Sequence, residues 1–365
     1  MSMIYSIEDK NSQHQAQALT VTVIRIHWIA RKPTPYNNFL LRSISADPEI
    51  DLNVHFIHNW MPNHPWQEEL SQEFSSRVFH KSAGLDRHLL QVALRESQSF
   101  FILGGFWFDS TVIALAQLLG VLKRPFALWT DTPNVKKQRW FIKRVGRDIL
   151  LKQYFIHAYR IMGTGNIALQ ALEQMGCPSH KLVNFPFFVD LEQLKPTYDT
   201  NQSINKPLVF VSSGRLDNAH KGYDLAISAL GLARQRTNAE FIYRIAGTGK
   251  DEQCLRALAE KHEIADRVEF LGWLESSQIR EFYRSGHVLL HPSHFDPFPV
   301  SVLEAMAAGL AVIGSDQAGS VVERVNPGKN GFIHQAGNMQ DLADKIVQLL
   351  TVPDQVLKLG VNLDC

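Results

Sequence analysis

Short runs of apolar, β-branched residues alternate along this chain with longer segments in which apolar residues recur every three or four positions. In the first half the short runs predict strands and the longer segments predict helices. The predicted strands are VTVIRI (21–26), LNVHFI (52–57), SFFIL (99–103), PFALW (125–129) and YRIMG (159–163), and the predicted helices are YNNFLLRSIS, STVIALAQLLG and NIALQALEQMG. Such alternation is typical of a parallel sheet covered by helices.

The alternation stops once and then restarts. The break begins with proline-containing, extended residues and ends in a polar stretch without periodicity, which we interpret as an inter-domain linker. The second series comprises LVFVSSG, GYDLAISALGLARQ, FIYRIAG, residues 251–261, VEFLG, SSQIREFYRSG, VLL, an apolar helix after DPFP, AVIG, SVVERV and residues 341–350. We predict an α/β protein with two Rossmann-like, doubly wound domains facing each other across a cleft.

Domain boundaries follow from these breaks in the pattern. We expect a disordered leader at 1–19, an N-terminal domain at 20–185, a linker at 186–206, a second domain at 207–350 and a short tail at 351–365. The leader is polar and lacks the apolar core of a signal peptide. The sequence contains no run of about 18 consecutive apolar residues, so no membrane span is predicted.

Composition excludes several classes of function. The chain has 37 basic and 36 acidic residues, so no overall charge indicates a nucleic-acid partner. Its three cysteines are isolated and show no C-x-x-C spacing, which argues against a disulfide framework or a zinc site and fits a cytoplasmic location. The H-x-x-H pairs His55/His58 and His291/His294 fall on strand or loop segments, which makes metal binding the minor interpretation.

The segment HPSHFDPFPVSVLEAMAAGLAVIGSD (291–316) places two acids beside an apolar helix. The prolines of DPFP suit a helix entrance and not its interior, so the helix is predicted to start near Val300 and to end before Gly309. Asp296 then lies on the preceding loop, and Glu304 points back toward the helix N-terminus. Amide donors and carboxylate acceptors gathered there suit an anion or sugar hydroxyls.

Two further loops follow strands of the second domain. Arg215 and Lys221 are separated by a polar stretch that includes DNAH and is predicted to be a flexible loop, so both cations can reach one anion. A guanidinium fork with an ammonium group suits a diphosphate, although a solvated pair of cations is the alternative. The loop AGTGK (246–250) fits neither the dinucleotide fingerprint nor the P-loop.

In this order and spacing, the three segments resemble the donor domain of retaining, nucleotide-sugar-dependent glycosyltransferases of family four (glycosyl transferases group 1), which have the GT-B fold. SGRLDNAHKGYDLAISAL is similar to the family's G-R-L…K-G segment, YRIAGTGKDEQCLRALA to its G-x-G segment, and HPSHFDPFPVSVLEAM to its E-x₇-E motif. The resemblance covers residues 207–350, whereas in the N-terminal domain it extends only to the pattern of elements.

The resemblance implies transfer of a hexose-type sugar from a nucleotide-diphosphate sugar to an acceptor hydroxyl, with retention of configuration. Asp296 stands in the place of the first glutamate and would bind a hydroxyl of the transferred sugar, while Asp131 is our candidate for the acceptor-side catalytic group. A helix cap or turn residue is the alternative for Asp131. Donor-binding roles are implied for Arg215, Lys221, Gly247, Gly249, Trp273, Phe298, Val300, Ser301 and Glu304.

Within these implied roles, the two cations would hold the diphosphate, Glu304 the ribose, and Trp273 would lie near the base. No metal or other cofactor is implied, because fixed cations and a helix dipole would neutralise the leaving diphosphate. The chain contains no D-x-D motif, which agrees with this scheme.

The sequence also departs from the family pattern. Asp296 is one methylene shorter than glutamate, ARKPTPYNN (30–38) replaces a glycine-rich loop, and the C-terminus predicts no long closing helix. The shorter acid at Asp296 and the missing closing helix keep a non-catalytic nucleotide-sugar-binding subunit open as an alternative. A GT-B-fold epimerase is a weaker one, because no clear acid–base set is visible.

The expected acceptor is a saccharide or lipid-linked acceptor in polysaccharide, lipopolysaccharide or glycolipid assembly. The segment 136–156 is rich in basic residues interleaved with apolar ones. One interpretation is an amphipathic helix, at 136–152, that lies on an anionic membrane surface at the inner face of the plasma membrane. The other is a core-packing helix with a solvated basic face.

Overall fold

A computed structural model describes residues 23–59, 70–133, 141–195 and 207–361 of the chain. The predicted leader at 1–19, the linker residues 196–206, the first residues (136–140) of the proposed membrane helix and residues 362–365 lie outside this range. No helix among the described residues combines the length and the apolarity needed to cross a bilayer.

The first sheet is wholly parallel and has the strand order β3-β2-β1-β4-β5-β6-β7. Its strands are β1 (Ile24–Ala30), β2 (Ile50–Phe56), β3 (Ser75–Val78), β4 (Phe100–Gly104), β5 (Phe126–Thr130), β6 (Arg160–Gly163) and β7 (Leu182–Asn184). Its helices are α1 (Pro35–Ser45), α2 (Arg87–Arg95), α3 (Ser110–Val121), α4 (Phe141–His157) and α5 (Asn166–Gln174). The five predicted strands and three predicted helices are confirmed to within a few residues, whereas β3, β7 and α2 were not predicted.

A short helix, α6 (Leu191–Leu194), leads into the second sheet, which is also parallel and has the order β10-β9-β8-β11-β12-β13. Its strands are β8 (Leu208–Ser213), β9 (Phe241–Ala246), β10 (Val268–Gly272), β11 (Val288–His291), β12 (Ala311–Ser315) and β13 (Gly331–His334). The helices are α7 (Asn218–Lys221), α8 (Tyr223–Arg236), α9 (Glu252–Lys261), α10 (Ser276–Arg284), α11 (Val300–Ala307), α12 (Gly319–Arg324), α13 (Met339–Thr351) and α14 (Pro353–Val361).

Both sheets are packed on two faces, as the unbroken apolar strands predict. Along β8, Leu208 and Phe210 face one core while Val209 and Val211 face the other, because successive side chains alternate across a strand. The predicted class of two Rossmann-like, doubly wound domains is therefore confirmed.

Two predictions about local structure are wrong. The polar stretch DNAH is not a flexible loop, because Asn218–Lys221 forms one helical turn whose first N–H donates to the Asp251 carboxylate at 2.7 Å. The expected tail at 351–365 contains a packed helix, α14, in which Val356 and Leu359 are buried in the second domain's core. The missed signals were the aspartate that begins the turn and the apolar spacing after Pro353.

Candidate functional site

Asp296 lies on the loop between β11 and α11 and is nearly buried, at 8% exposure. Its carboxylate accepts a hydrogen bond from Lys221 at 2.5 Å and lies 3.3 Å from the His291 ring. Burial alone would raise the pKa of Asp296, but the Lys221 ammonium and the His291 ring outweigh burial and hold the pKa well below its usual range. Asp296 is therefore a fixed, ionised acceptor.

The backbone holds the same loop from a second side. The Asp296 amide donates to the Gln317 carbonyl at 3.1 Å, and the Gly319 amide donates to the Asp296 carbonyl at 3.0 Å. These bonds tie the loop to the start of α12, so the carboxylate is positioned by rigid elements.

Lys221 reaches Asp296 because the chain turns sharply at Gly222. Gly222 has φ of +66° and separates α7 from α8. A side chain there would collide with the Pro292 carbonyl, and the neighbouring His294 amide donates to the His220 carbonyl at 2.9 Å. The Lys–Gly pair thus locks the loop after β8 onto the loop after β11.

Glu304 lies in the second turn of α11 and is partly buried. The hydroxyl of the fully buried Tyr283 donates to its Oε2 at 2.8 Å, and Ser213 lies 2.7 Å from the same hydroxyl. Burial raises the pKa of Glu304, and the Tyr283 hydrogen bond opposes that rise. One carboxylate oxygen is therefore oriented by a partner that the sequence did not indicate.

The other predicted donor residues are placed around this centre in different ways. Arg215 is exposed, and among the described residues no carboxylate pairs with it, whereas Lys221 is engaged by Asp296.

Gly247 and Gly249 lie so close to the loop after β8 that a Cβ would collide with the Gly214 and Leu216 carbonyls. Trp273, at the end of β10, donates to Glu275 at 3.0 Å.

The remaining predicted residues lie at the start of α11. Val300 and Ser301 are its first two residues, so their amides have no acceptor within the helix. Phe298 is buried, and its ring centroid lies 6.4 Å from that of Phe187, which packs against the first domain's core. Phe298 therefore also forms part of the contact between the domains.

Asp131 lies across the cleft at the end of β5. It is open to solvent on the side of the cleft, while protein atoms surround its other sides, and Thr164 donates to its Oδ1 at 3.0 Å. Its desolvated surroundings raise its pKa, the Thr164 hydrogen bond lowers it, and the negative charge of Asp296 raises it further. The two candidate catalytic acids are thus within electrostatic reach, although they come from different domains.

Tyr36 is a further residue of the cleft that the sequence did not indicate. Burial raises its pKa to about 12, and it also feels the charges of Asp131, Arg31 and Glu304. The first turn of α1 therefore brings the Tyr36 hydroxyl from the first domain toward the acids of the second.

The domains are also joined directly. Glu323 on α12 accepts a hydrogen bond from the Asn166 amide at the start of α5 and lies 3.5 Å from the Asn184 side-chain nitrogen. Gly165, with φ of +87°, leaves room there for Glu323 and Phe298. We call this contact between Glu323, Asn166 and Asn184 the inter-domain clasp.

Sequence patterns could not have found several of these partners. Tyr283 and Glu323 contact residues that lie far away along the chain or in the other domain. His291 is close to Asp296 in the sequence, but the turn of the intervening loop that brings their side chains together is not visible in the pattern. Among the described residues, no three His, Cys, Asp or Glu side chains are grouped as metal ligands. His291 instead contacts Ser293 and Asp296.

Residues 195–362 match the model of the family described as "Glycosyl transferases group 1". Among curated relatives, the putative colanic acid biosynthesis glycosyltransferase WcaL of Salmonella typhimurium is 30% identical over 193 residues, 51% of this chain and 46% of that protein. The lipopolysaccharide 1,6-galactosyltransferase of the same organism is 30% identical over 151 residues, 40% of this chain and 41% of that protein. The matched region therefore spans less than half the length of either relative.

Solved structures share the whole architecture. HepE of Anabaena in complex with UDP and glucose superposes with a TM-score of 0.70 at 16% identity, over 93% of each chain. The lipopolysaccharide outer core galactosyltransferase WaaB in its apo form gives a TM-score of 0.69 at 16% identity, over 93% of this chain and 94% of that chain. At this identity the likeness shows the fold, which is that of GT-B glycosyltransferases.

Proposed function

We propose that this GT-B-fold protein is a retaining glycosyltransferase that moves a hexose-type sugar from a nucleotide-diphosphate sugar to a hydroxyl of a saccharide or lipid-linked acceptor. The proposed setting is the assembly of a polysaccharide, lipopolysaccharide or glycolipid. Its support is the family match of residues 195–362 and the biosynthetic names of the relatives that match part of this chain.

The observation that carries the proposal is the cluster at the start of α11. Asp296, held by Lys221 and His291, and Glu304, held by Tyr283, provide two oriented carboxylates on one side of the cleft. A ligand with hydroxyl groups at two separate points, such as a ribose joined to a hexose, suits this pair. In this scheme Asp296 contacts the transferred sugar and Glu304 the ribose.

The diphosphate between those two sugars would be held by Arg215 and by the Val300 and Ser301 amides, with Lys221 nearby. Arg215 has no carboxylate partner among the described residues, so its guanidinium is available for phosphate oxygens. Fixed positive charge and amide dipoles stabilise a leaving diphosphate without reorganisation, and the proposed scheme uses no metal.

For retention we propose a front-face displacement. The bond between the sugar C1 and the phosphate oxygen breaks, the acceptor oxygen bonds to C1 from the same side, and the acceptor proton passes to the leaving diphosphate. Asp131 faces the acceptor side of this step. Contact between the domains would exclude water that otherwise hydrolyses the donor.

A panel of UDP, GDP and ADP sugars tests the proposal, with isothermal titration for binding and product analysis for transfer and hydrolysis. We expect turnover of at least one donor, and Asp296→Asn is expected to lose most turnover while keeping nucleotide affinity within a few-fold. Tight nucleotide binding without turnover of any donor would favour the non-catalytic binding subunit instead.

We also propose that the chain contacts an anionic membrane surface through residues 136–152. Only part of that segment is described, and in the later half of α4 the side chains of Leu151, Tyr154 and Phe155 pack into the core. The proposal therefore depends on the earlier half. Co-sedimentation with anionic vesicles that weakens in salt is expected, whereas binding that ignores lipid charge and salt would contradict it.

A further inference from the structure

Four strand ends of the first domain form a row at the edge that faces the cleft. Because the strand order is β3-β2-β1-β4, the residues that follow these strands lie side by side. They are Lys81 after β3, His58 after β2, Arg31 after β1 and Phe108 after β4. We call this row the basic edge.

Arg31 and Phe108 form the centre of the basic edge. The guanidinium carbon lies 5.1 Å from the centroid of the Phe108 ring, and that ring is 52% exposed. Arg31 is itself exposed. A guanidinium stacked on an aromatic face keeps its N–H edge directed outward, where it can bind a carboxylate or phosphate with two parallel hydrogen bonds.

The charges of the basic edge are unevenly neutralised. Asp109 pairs with Lys81, and it also caps α3 by accepting the Thr111 and Val112 amides. Among the described residues no carboxylate lies within ion-pair distance of Arg31. Within the described part of the chain, Arg31 is therefore a cation of the row to which no carboxylate is paired.

His58 lies close to Arg31 and within the electrostatic influence of Lys81 and Asp109. Its amide donates to the Arg31 carbonyl at 3.0 Å. Its pKa is lowered by burial first and then by the charge of Lys81, while Asp109 opposes and Arg31 adds to the shift. At neutral pH the ring is therefore a neutral hydrogen-bonding group beside the Arg31 charge.

The basic edge also adjoins the candidate reaction centre. The positive charge of Arg31 acts on the carboxyl of Asp131, which in turn feels Asp296 across the cleft. A molecule that contacts Arg31 and Phe108 thus lies on the acceptor side of the cleft. Exposed aromatic rings suit the C–H face of a sugar, because they bury apolar area without requiring a polar partner.

We propose that Arg31 and Phe108, with His58 and Lys81 beside them, form a subsite for an acceptor sugar that carries a carboxylate or a phosphate group. The proposal rests on the proposed glycosyl transfer and adds the chemical class of its acceptor. Arg31 binds the anionic group and Phe108 stacks against the ring of the same sugar.

The test measures binding without turnover, by titration calorimetry and saturation-transfer NMR on the full chain with UDP present. The carboxylate arm compares 4-nitrophenyl β-D-glucuronide with the corresponding glucoside, and the phosphate arm compares glucose 6-phosphate with glucose. We expect about tenfold tighter binding of the anionic sugar in at least one arm, since charge-assisted hydrogen bonds contribute that much. The arm that responds identifies the anionic group.

Arg31→Gln is expected to reduce this preference to about twofold or less, and Phe108→Ala to weaken both members of a pair about equally. Lys261→Gln, which removes an exposed cation on α9 of the other domain, is the charge control and should leave the preference unchanged. Circular dichroism and thermal unfolding establish that each variant is folded.

Equal binding of anionic and neutral sugars in both arms would overturn the subsite, as would an Arg31→Gln variant that loses UDP affinity and keeps the preference. Nucleotide-sugar turnover is measured separately. Turnover without an anionic preference contradicts only the subsite, and a preference without turnover contradicts only the proposed transferase activity.

Discussion

Asp296 is held by two groups of the second domain, Lys221 at the end of α7 and His291 at the end of β11. A carboxyl group whose pKa is lower in the folded chain stabilises the fold above its unfolded pKa, near about 4. That contribution disappears as the pH falls through the folded value. The carboxylate that we propose as a sugar-binding group is therefore also a pH-dependent part of the fold.

Lys221→Met removes the cation nearest to this carboxylate. We expect the free energy of unfolding near neutral pH to fall by about 3 kcal/mol, because a buried charge is left unpaired. The deficit should shrink as the pH falls toward about 4.5, since the unpaired Asp296 then takes up a proton in the folded state. Urea denaturation at both pH values measures the change.

The matched control for this variant is Lys221→Met combined with Asp296→Asn. Removing the negative charge should recover most of the lost stability, because an amide needs no cation. A deficit that is the same at both pH values, or that persists in the double variant, would contradict the role given to the pair.

Tyr283→Phe tests the hydroxyl that orients Glu304. Without this donor the pKa of Glu304 should rise further, and we expect nucleotide affinity to fall about three- to tenfold with a stability loss of about 1–2 kcal/mol. Tyr243→Phe is the control, because its buried hydroxyl lies 2.8 Å from Ser212 and does not contact Glu304. Equal nucleotide affinities in the two variants would rule out a positioning role for Tyr283.

At this scale the sequence predicted the acids of the cluster but not the contacts that hold them. Asp296 and Glu304 belong to one continuous motif, so their spacing could be read directly. The Tyr283 hydroxyl comes from a separate element, and the contacts of Lys221 and His291 with Asp296 became visible only in the folded chain.

Among the elements, the short helix α7 and the glycine after it determine where Lys221 lies. Gly222 combines a positive φ with direct contact to the Pro292 carbonyl, so no other residue fits without a backbone shift. The position of the Lys221 ammonium group therefore depends on Gly222, which has no side chain.

Gly222→Ala is expected to lower the free energy of unfolding by about 2 kcal/mol or more, through the left-handed backbone and the collision. Nucleotide binding should weaken as well, because Lys221 is displaced. Gly146→Ala is the matched control, since nothing lies within 4 Å of its added methyl group and it lies within helix α4. That change should be neutral or stabilise by up to about 1 kcal/mol, and an equal loss in both variants would contradict the argument.

Elements with a clear apolar pattern were predictable, including the short strands β6 and β11, whereas several short or polar elements were not. The edge strand β3 reads SSRV and owes its pairing to β2 beside it. Similarly, β7 and β13 have only three and four residues, so neighbouring strands determine them more than their own composition does. Helix α14 was missed because its apolar spacing is short, and its burial against the second domain's core is visible only in the structure.

For the whole molecule, the inter-domain clasp connects helices that belong to different sheets. Glu323 accepts the Asn166 amide at the positive end of α5, an arrangement that the helix dipole favours. The clasp holds Asp131 and Asp296 within electrostatic reach of each other.

Glu323→Ala should open the cleft. We expect a larger radius of gyration by small-angle X-ray scattering in the absence of ligand and a loss of roughly 1–2 kcal/mol in nucleotide binding, because closure is no longer supported. Glu240→Ala removes an exposed ion pair with Arg267 inside one domain and serves as the control. Unchanged scattering in Glu323→Ala would contradict the clasp.

Each sheet is built from one continuous stretch of chain, residues 24–184 and then 208–334. During synthesis the first sheet is therefore complete while the second is still being translated, and neither half alone contains both Asp131 and Asp296. A ligand that spans the cleft meets its full set of contacts only after the second half has folded. Binding of such a ligand therefore stabilises the chain once both domains are folded, and it does not stabilise the first domain alone.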